Sequence, residues 1–178
     1  NFQATIPKDL RDTPLQVFRD EYLGDFMKLE GSEDEGAIET EIVNNIRKFI
    51  LGLGKGFAFL GNQFRLEVDG QEFFIDLLFY NRHLQCLVAF ELKRGKFKPE
   101  YAGQLNFYLN VLDDKVKLPH ENASIGIILC KEKSNTVVEY AFRSVSNAMG
   151  AATFKTTRHI PDELRRYLPD EGKLSKLL

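Results

Sequence analysis

The sequence predicts an α/β domain with elements in the order αβββαβαβ. Three observations carry that expectation. Apolar residues recur at three- and four-residue spacing over 38–53, three strand-like stretches joined by short turns fill 63–92, and helix and strand patterns alternate after Pro99.

The first helix is expected from Ile38, because Ile42, Val43, Ile46, Phe49, Ile50 and Leu53 form one apolar stripe, with Gly52 and Gly54 as its stop signal. Gln63–Val68 alternates polar and apolar residues as a half-buried strand does, and Asp69-Gly70 is a strong hairpin turn. Phe73–Tyr80 is almost continuously apolar and reads as a central strand buried on both faces. Asn81–Leu84 turns the chain into a second apolar strand, Cys86–Leu92, and Gly95–Pro99 reads as a basic loop. Pro99 favours a helix start and Tyr101, Leu105, Tyr108, Leu109 and Leu112 share one side of that helix. A polar loop, Asp113–Asn122, leads to an apolar strand, Ser124–Cys130. A helix over Thr136–Asn147 and a strand near Ala151–Lys155 complete the pattern, and a last helix over Pro161–Leu168 follows it.

Residues 1–31 carry no sustained periodicity, being interrupted by Pro7, Pro14, Gly24 and Gly31, with a short helical stretch expected around Leu15–Leu23. An acidic linker, Ser32–Gly36, follows, so residues 1–36 are expected to be an arm and linker and 37–178 the domain. The chain begins at Asn1 and not at Met, as an excerpt of a longer protein would.

The 178 residues suit one domain with a short appendage and allow a sizeable core without metal or disulfide staples. With 15 Phe and no Trp, aromatic packing must rest largely on phenylalanine. A net charge of −2 leaves no global basic field, so any nucleic-acid surface must be local. Cys86 and Cys130 lie in apolar runs, as buried reduced thiols do, and neither they nor the histidines show zinc-ligand spacing. No apolar stretch is long enough for a bilayer or a signal peptide, and a cytoplasmic location is the expectation.

The chemistry stands out against this background. Asp76 sits inside Phe-Phe-Ile-Asp-Leu-Leu-Phe-Tyr, where a carboxylate is costly unless it is paired or bound to metal. Glu91 and Lys93 close the next apolar strand and, being two apart, point to one face of the sheet. An even-length hairpin turn brings Asp76 to that face. A turn centred between His83 and Leu84 sets it opposite Glu91, and one centred between Arg82 and His83 makes them diagonal neighbours. Two converging carboxylates repel unless one is neutral or a cation intervenes. An all-oxygen pair suits Mg²⁺ or Mn²⁺, with Asp76 and Glu91 as the expected ligands. Lys93 beside them can stabilise charge developing on a phosphate or orient an attacking water, which equips the site for phosphodiester hydrolysis.

Glu39 projects into the apolar stripe of the first helix, either to meet the sheet site or to snorkel from a helix start near the favourable end of the dipole. Gln104 and Tyr108 stack four apart on the helix after the basic loop, a pair that alone carries little information. Lys93, Arg94, Lys96 and Lys98 crowd six residues, as phosphate contacts or as a solvated loop, and Phe97 among them either stacks on a base or anchors the loop.

Together these stretches resemble the C-terminal domain of the YhcG-type nucleases of the PD-(D/E)xK superfamily. The likeness rests on Ile38-Glu39 with Ile42-Val43, Gly56–Gln63, Phe74–Tyr80, Glu91-Leu92-Lys93, Gly103–Tyr108 and Ser124–Cys130, and covers roughly residues 37–160. It implies a three-layer, restriction-endonuclease-like fold: a central mixed sheet flanked by helices around an αβββαβ core. It also implies Asp76 and Glu91 as metal ligands, Lys93 as the catalytic lysine, Glu39 as the first-helix acid, and Gln104 with Tyr108 as a QxxxY element. Ile75 replaces the proline of the superfamily name. The implied activity is a metal-dependent nuclease, endo or exo unresolved, acting on nucleic acid, DNA favoured over RNA. An upstream domain is expected in the full-length protein and a homo-oligomer is left open. The competing readings are a non-catalytic nucleic-acid-binding module and a protein-interaction domain that docks through residues 1–31.

Overall fold

The computed structural model describes residues 21–23, 39, 40, 42, 43, 49, 50, 53 and 56–155. Six strands form one mixed sheet: β1 (Glu21–Leu23), β2 (Phe57–Val68), β3 (Gln71–Asn81), β4 (Cys86–Lys96), β5 (Ile125–Glu132) and β6 (Ala148–Lys155). Their spatial order is β1-β6-β5-β4-β3-β2. The meander β2–β3–β4 is antiparallel, whereas β4, β5, β6 and β1 pair in parallel. Two helices, α1 (Glu100–Lys115) and α2 (Asn135–Phe142), link the parallel strands, as such connections require. The described residues between 39 and 53 are all helical.

The two hairpin turns set the register. Asp69 and Gly70 adopt positive φ (51° and 73°), the primed geometry that matches strand twist. At the next turn the buried Asn81 side chain accepts backbone N–H bonds from His83 and Leu84, both at 3.0 Å. That cap closes a four-residue turn with Asn81 opposite Cys86, so each partner pair in β3–β4 is centred between His83 and Leu84.

The sheet is covered on both sides, which makes three layers. On one face Ile42, Phe49 and Leu53 pack against Leu77, Phe79, Phe90 and Leu92. Phe49, Phe79 and Phe90 meet there as a mutual cluster with centroids 5.5–5.8 Å apart. On the other face Leu105, Tyr108, Leu109 and Leu112 of α1 cover Leu78, Ala89, Ile128 and Met149. A Cβ at Gly126 would lie 2.6 Å from Leu105, so only glycine lets α1 settle this close to β5. Cys86 and Cys130 are buried in this apolar interior as expected, and burial pushes their thiols up to about 12 and about 11. No described helix is long and apolar enough to cross a membrane.

Several expectations need correction. Glu21–Leu23, read as the end of a helical stretch, pairs with β6, because a sheet edge offers the backbone partners that local propensity does not foresee. The basic loop is in part strand: β4 runs through Gly95 and Lys96, and Lys96 pairs with Glu132. Helix α2 stops at Phe142, which is buried against Phe97, and the strand expected near Ala151 starts at Ala148. The rest of the arm, the acidic linker and the Pro161–Leu168 helix lie outside the described residues.

Candidate active site

The candidate site lies where the sheet forks. The β3–β4 ladder runs from Asn81↔Cys86 to Leu77↔Phe90 and stops, while β4 continues beside β5 through Lys93. Carrying the register one step further sets Asp76 opposite Glu91, the first of the two arrangements open to the hairpin. Instead of a backbone carbonyl, the Asp76 side chain takes the next amide: Oδ2 accepts the Leu92 N–H at 2.8 Å.

The β2 side of Asp76 is also interrupted. Pairing passes from Asn62↔Leu77 to Phe64↔Ile75, skipping Gln63 and Asp76. Gln63 has φ +45°, a left-handed backbone that side-chain-bearing residues seldom adopt. Along β3 the alternation slips at the same point. Phe73, Ile75, Leu78 and Tyr80 pack in the layer of α1, and Leu77 and Phe79 in the opposite one.

Three expected residues meet at this fork. Lys93 Nζ is 3.5 Å from Glu91 Oε2, and both side chains are buried, Glu91 to 2% exposure. Lys93 Nζ also stands 5.2 Å from the centre of the Tyr101 ring, a favourable place for a cation. Glu91 Oε1 is buried with no hydrogen-bond partner. A buried acceptor in that state is costly and calls for a ligand.

The electrostatics follow. Burial pushes the Glu91 carboxyl up to about 8, the Asp76 charge adds to that, and Lys93 opposes it. Burial raises Asp76 too, against the stabilising Leu92 amide and Lys93. Two partly desolvated carboxylates facing one ammonium hold one charge too many, so the pair retains a proton unless a further cation arrives.

Glu39 does reach the site, through an intermediary. Its oxygens accept bonds from Asn62 Nδ2 at 2.8 Å and Gln63 Nε2 at 2.5 Å, and the same Gln63 nitrogen donates to Asp76 Oδ1 at 3.2 Å. Gln104 Nε2 donates to the buried Tyr108 hydroxyl at 2.9 Å. Tyr108 is raised by burial first, and it also feels the charges of Glu91, Lys93 and Asp76, so the pair borders the fork. The basic run divides: Lys93 turns inward, while Arg94, Lys96 and Lys98 are exposed. Phe97 is buried against Tyr101 and Phe142 and therefore anchors the segment.

Sequence reasoning missed Gln63, Asn62 and the Leu92 amide. The one available signal was Gly61-Asn62, two residues depleted from strands, which coincide with a bulge in β2 between Phe59 and Gly61. The residue that takes positive φ is neither of them.

Among the described residues no group of three His, Cys, Asp or Glu side chains converges as a metal cage. Mg²⁺ does not need one, since it keeps several waters and is held by one or two carboxylates. The orphaned Glu91 oxygen beside the Asp76 carboxylate fits such an ion.

A mixed sheet with helices on both faces, an αβββαβ core and an Asp–Glu–x–Lys cluster at the fork of its meander defines a restriction-endonuclease-like domain of the PD-(D/E)xK class. The chain belongs to the YhcG PDDEXK nuclease domain family, whose model matches residues 15–169. A curated relative from Escherichia coli (strain K12), named "Putative nuclease YhcG", is 39% identical over 169 residues. That match takes in 95% of this chain and 44% of the relative, so the chain spans less than half of that protein's length. Among solved structures, a repair endonuclease from Pyrococcus abyssi is similar at a TM-score of 0.48 and 17% identity, covering 73% of this chain and 50% of that one. An EndoMS–dsDNA complex is similar at a TM-score of 0.49 and 15% identity, covering 76% and 50%.

Proposed function

We propose that the chain is a metal-dependent nuclease domain that hydrolyses phosphodiester bonds, with Asp76 and Glu91 as ligands of a Mg²⁺ or Mn²⁺ ion and Lys93 as the catalytic amine. The observation that carries this reading is the buried Glu91 carboxylate, with one oxygen near Lys93 and the other without a partner, at the fork where Asp76 stands. A divalent ion held there would neutralise phosphate charge and lower the pKa of a water.

The chain's own residues do the rest. The Leu92 amide fixes the orientation of Asp76. Lys93, held between Glu91 and the Tyr101 ring, presents its ammonium to the phosphate and stabilises charge that grows in the transition state. Tyr108, fixed by Gln104, walls the site on the α1 side. Exposed Arg94, Lys96 and Lys98 supply phosphate contacts that position the polymer without reading its sequence. We favour DNA over RNA as substrate, following the family resemblance, and the cytoplasm as its setting.

The test is cleavage of labelled double-stranded DNA, single-stranded DNA and RNA with Mg²⁺, with Mn²⁺ and with chelator, for the wild-type chain and for Asp76→Ala, Glu91→Ala and Lys93→Ala. Metal-dependent cleavage lost in all three variants is the expected result. Cleavage that survives in all three refutes the site. Metal-dependent DNA binding without cleavage by the wild type would make the domain a non-catalytic binder.

A further inference from the structure

Three described non-glycine residues have positive φ: Gln63, Asp69 and Gln85. Asp69 and Gln85 sit in the hairpin turns, where such a backbone is needed. Gln63 lies inside β2, where it is not. A left-handed residue in mid-strand breaks the ladder, and such strain persists when something around it holds it in place. Gln63 is solvent-exposed, so core packing does not hold it.

What the strained backbone achieves is visible in the side chain. The amide nitrogen of Gln63 donates one hydrogen to Glu39 Oε2 and the other to Asp76 Oδ1. Both acceptors are carboxylates, so the amide is a neutral strap between two groups that repel each other. It also completes the anchoring of Asp76, whose other oxygen holds the Leu92 amide.

We propose that Gln63 is a positioning residue of the metal site, its side-chain amide aimed by a left-handed backbone so that it ties Glu39 to Asp76 and sets the Asp76 carboxylate for the ion. The inference rests on the metal-nuclease reading above. Groups that orient a ligand in this way are worth about 10–100-fold in metal affinity or activity. Glu39 then acts through Gln63, without contacting the ion.

The experiment measures Mn²⁺ affinity by calorimetry, the Mn²⁺ midpoint of cleavage, and the melting temperature of the 178-residue chain and two variants. Gln63→Met keeps the length and removes the donor. Gln63→Gly removes the donor and the backbone strain. The expected result is about tenfold weaker Mn²⁺ binding and a matching shift of the cleavage midpoint in both. Melting should be no lower than wild type for Gln63→Gly, because glycine is at ease at this φ. Unchanged Mn²⁺ affinity and midpoint in both variants overturn the inference, whatever happens to melting. Asp76→Ala serves as the control. If the wild type takes up no Mn²⁺, or Asp76→Ala takes it up equally well, the metal-site reading itself falls and the role of Gln63 with it.

Discussion

The two halves of β3 behave as different pieces of protein. From Leu77 to Asn81 the strand is paired on both sides, and Leu77, Leu78 and Phe79 are fully buried. From Gln71 to Ile75 it pairs with β2 alone among the described strands, and Gln71, Glu72 and Phe74 are exposed. The first half has a strand on each side, with one bulge in β2, and no chemistry to offer. The second is a hairpin leaving the sheet. Asp76 stands at the junction, where the ladder stops on the β4 side and skips one pair, in unchanged register, on the β2 side. The comparison teaches that the site is built by ending regular pairing in a chosen place: an amide given to a side chain, a buried carboxylate and a strained glutamine gather where the β3–β4 ladder stops.

Breaking the junction should have the largest effect. Asp76→Ala, Glu91→Ala and Lys93→Ala should each lower cleavage by at least about 10²–10³-fold, the scale of removing a group that stabilises transition-state charge. Single-turnover cleavage of a labelled duplex checks this. The two halves of the strand should then separate in stability. Phe79→Ala, in the phenylalanine cluster, should cost about 3–5 kcal/mol in urea unfolding. Phe74→Ala, at 42% exposure on the outer half, should stay within about 0.5 kcal/mol.

A smaller effect follows from the raised Glu91 carboxyl. The folded, metal-free chain holds a proton up to about pH 8, whereas the unfolded chain releases it near 4.5. The folded state therefore binds more protons in that window, and stability must fall as pH rises through it. Glu91→Gln should flatten this slope and raise stability at pH 8 by about 1–3 kcal/mol, since a neutral amide replaces an imperfectly paired buried charge. Chemical denaturation at several pH values in chelator is the check. The smallest effect belongs to the exposed lysines. Replacing Lys96 and Lys98 with alanine should weaken DNA binding evenly across sequences and reduce the salt slope by about two units on the double-logarithmic plot.

Much of the fold was legible because its signals are local. The periodicity at Ile42, Phe49 and Leu53, the Asp69-Gly70 turn and the apolar runs of β3, β4 and β5 each reflect neighbours in sequence. The misread segments depend on distant partners. Glu21–Leu23 takes its conformation from β6 and Lys96 from Glu132, and α2 is cut short where Phe142 meets Phe97. None of these partners lies within a local window. The approach of α1 to the sheet rests likewise on Gly126 fitting under Leu105, a contact between separate elements.

For the candidate site the division is sharper. The sequence by itself determined that Asp76, Glu91 and Lys93 would interrupt apolar strands and that the last two would share a face, because strand alternation has a period of two and burial punishes unmatched charge. Only the tertiary structure decided that the β3–β4 ladder ends at Leu77, that the Leu92 amide serves Asp76, and that Glu39 arrives through Gln63. Those outcomes turn on hydrogen bonds spanning 13 to 24 residues, and which groups such bonds join depends on which strand lies across the gap.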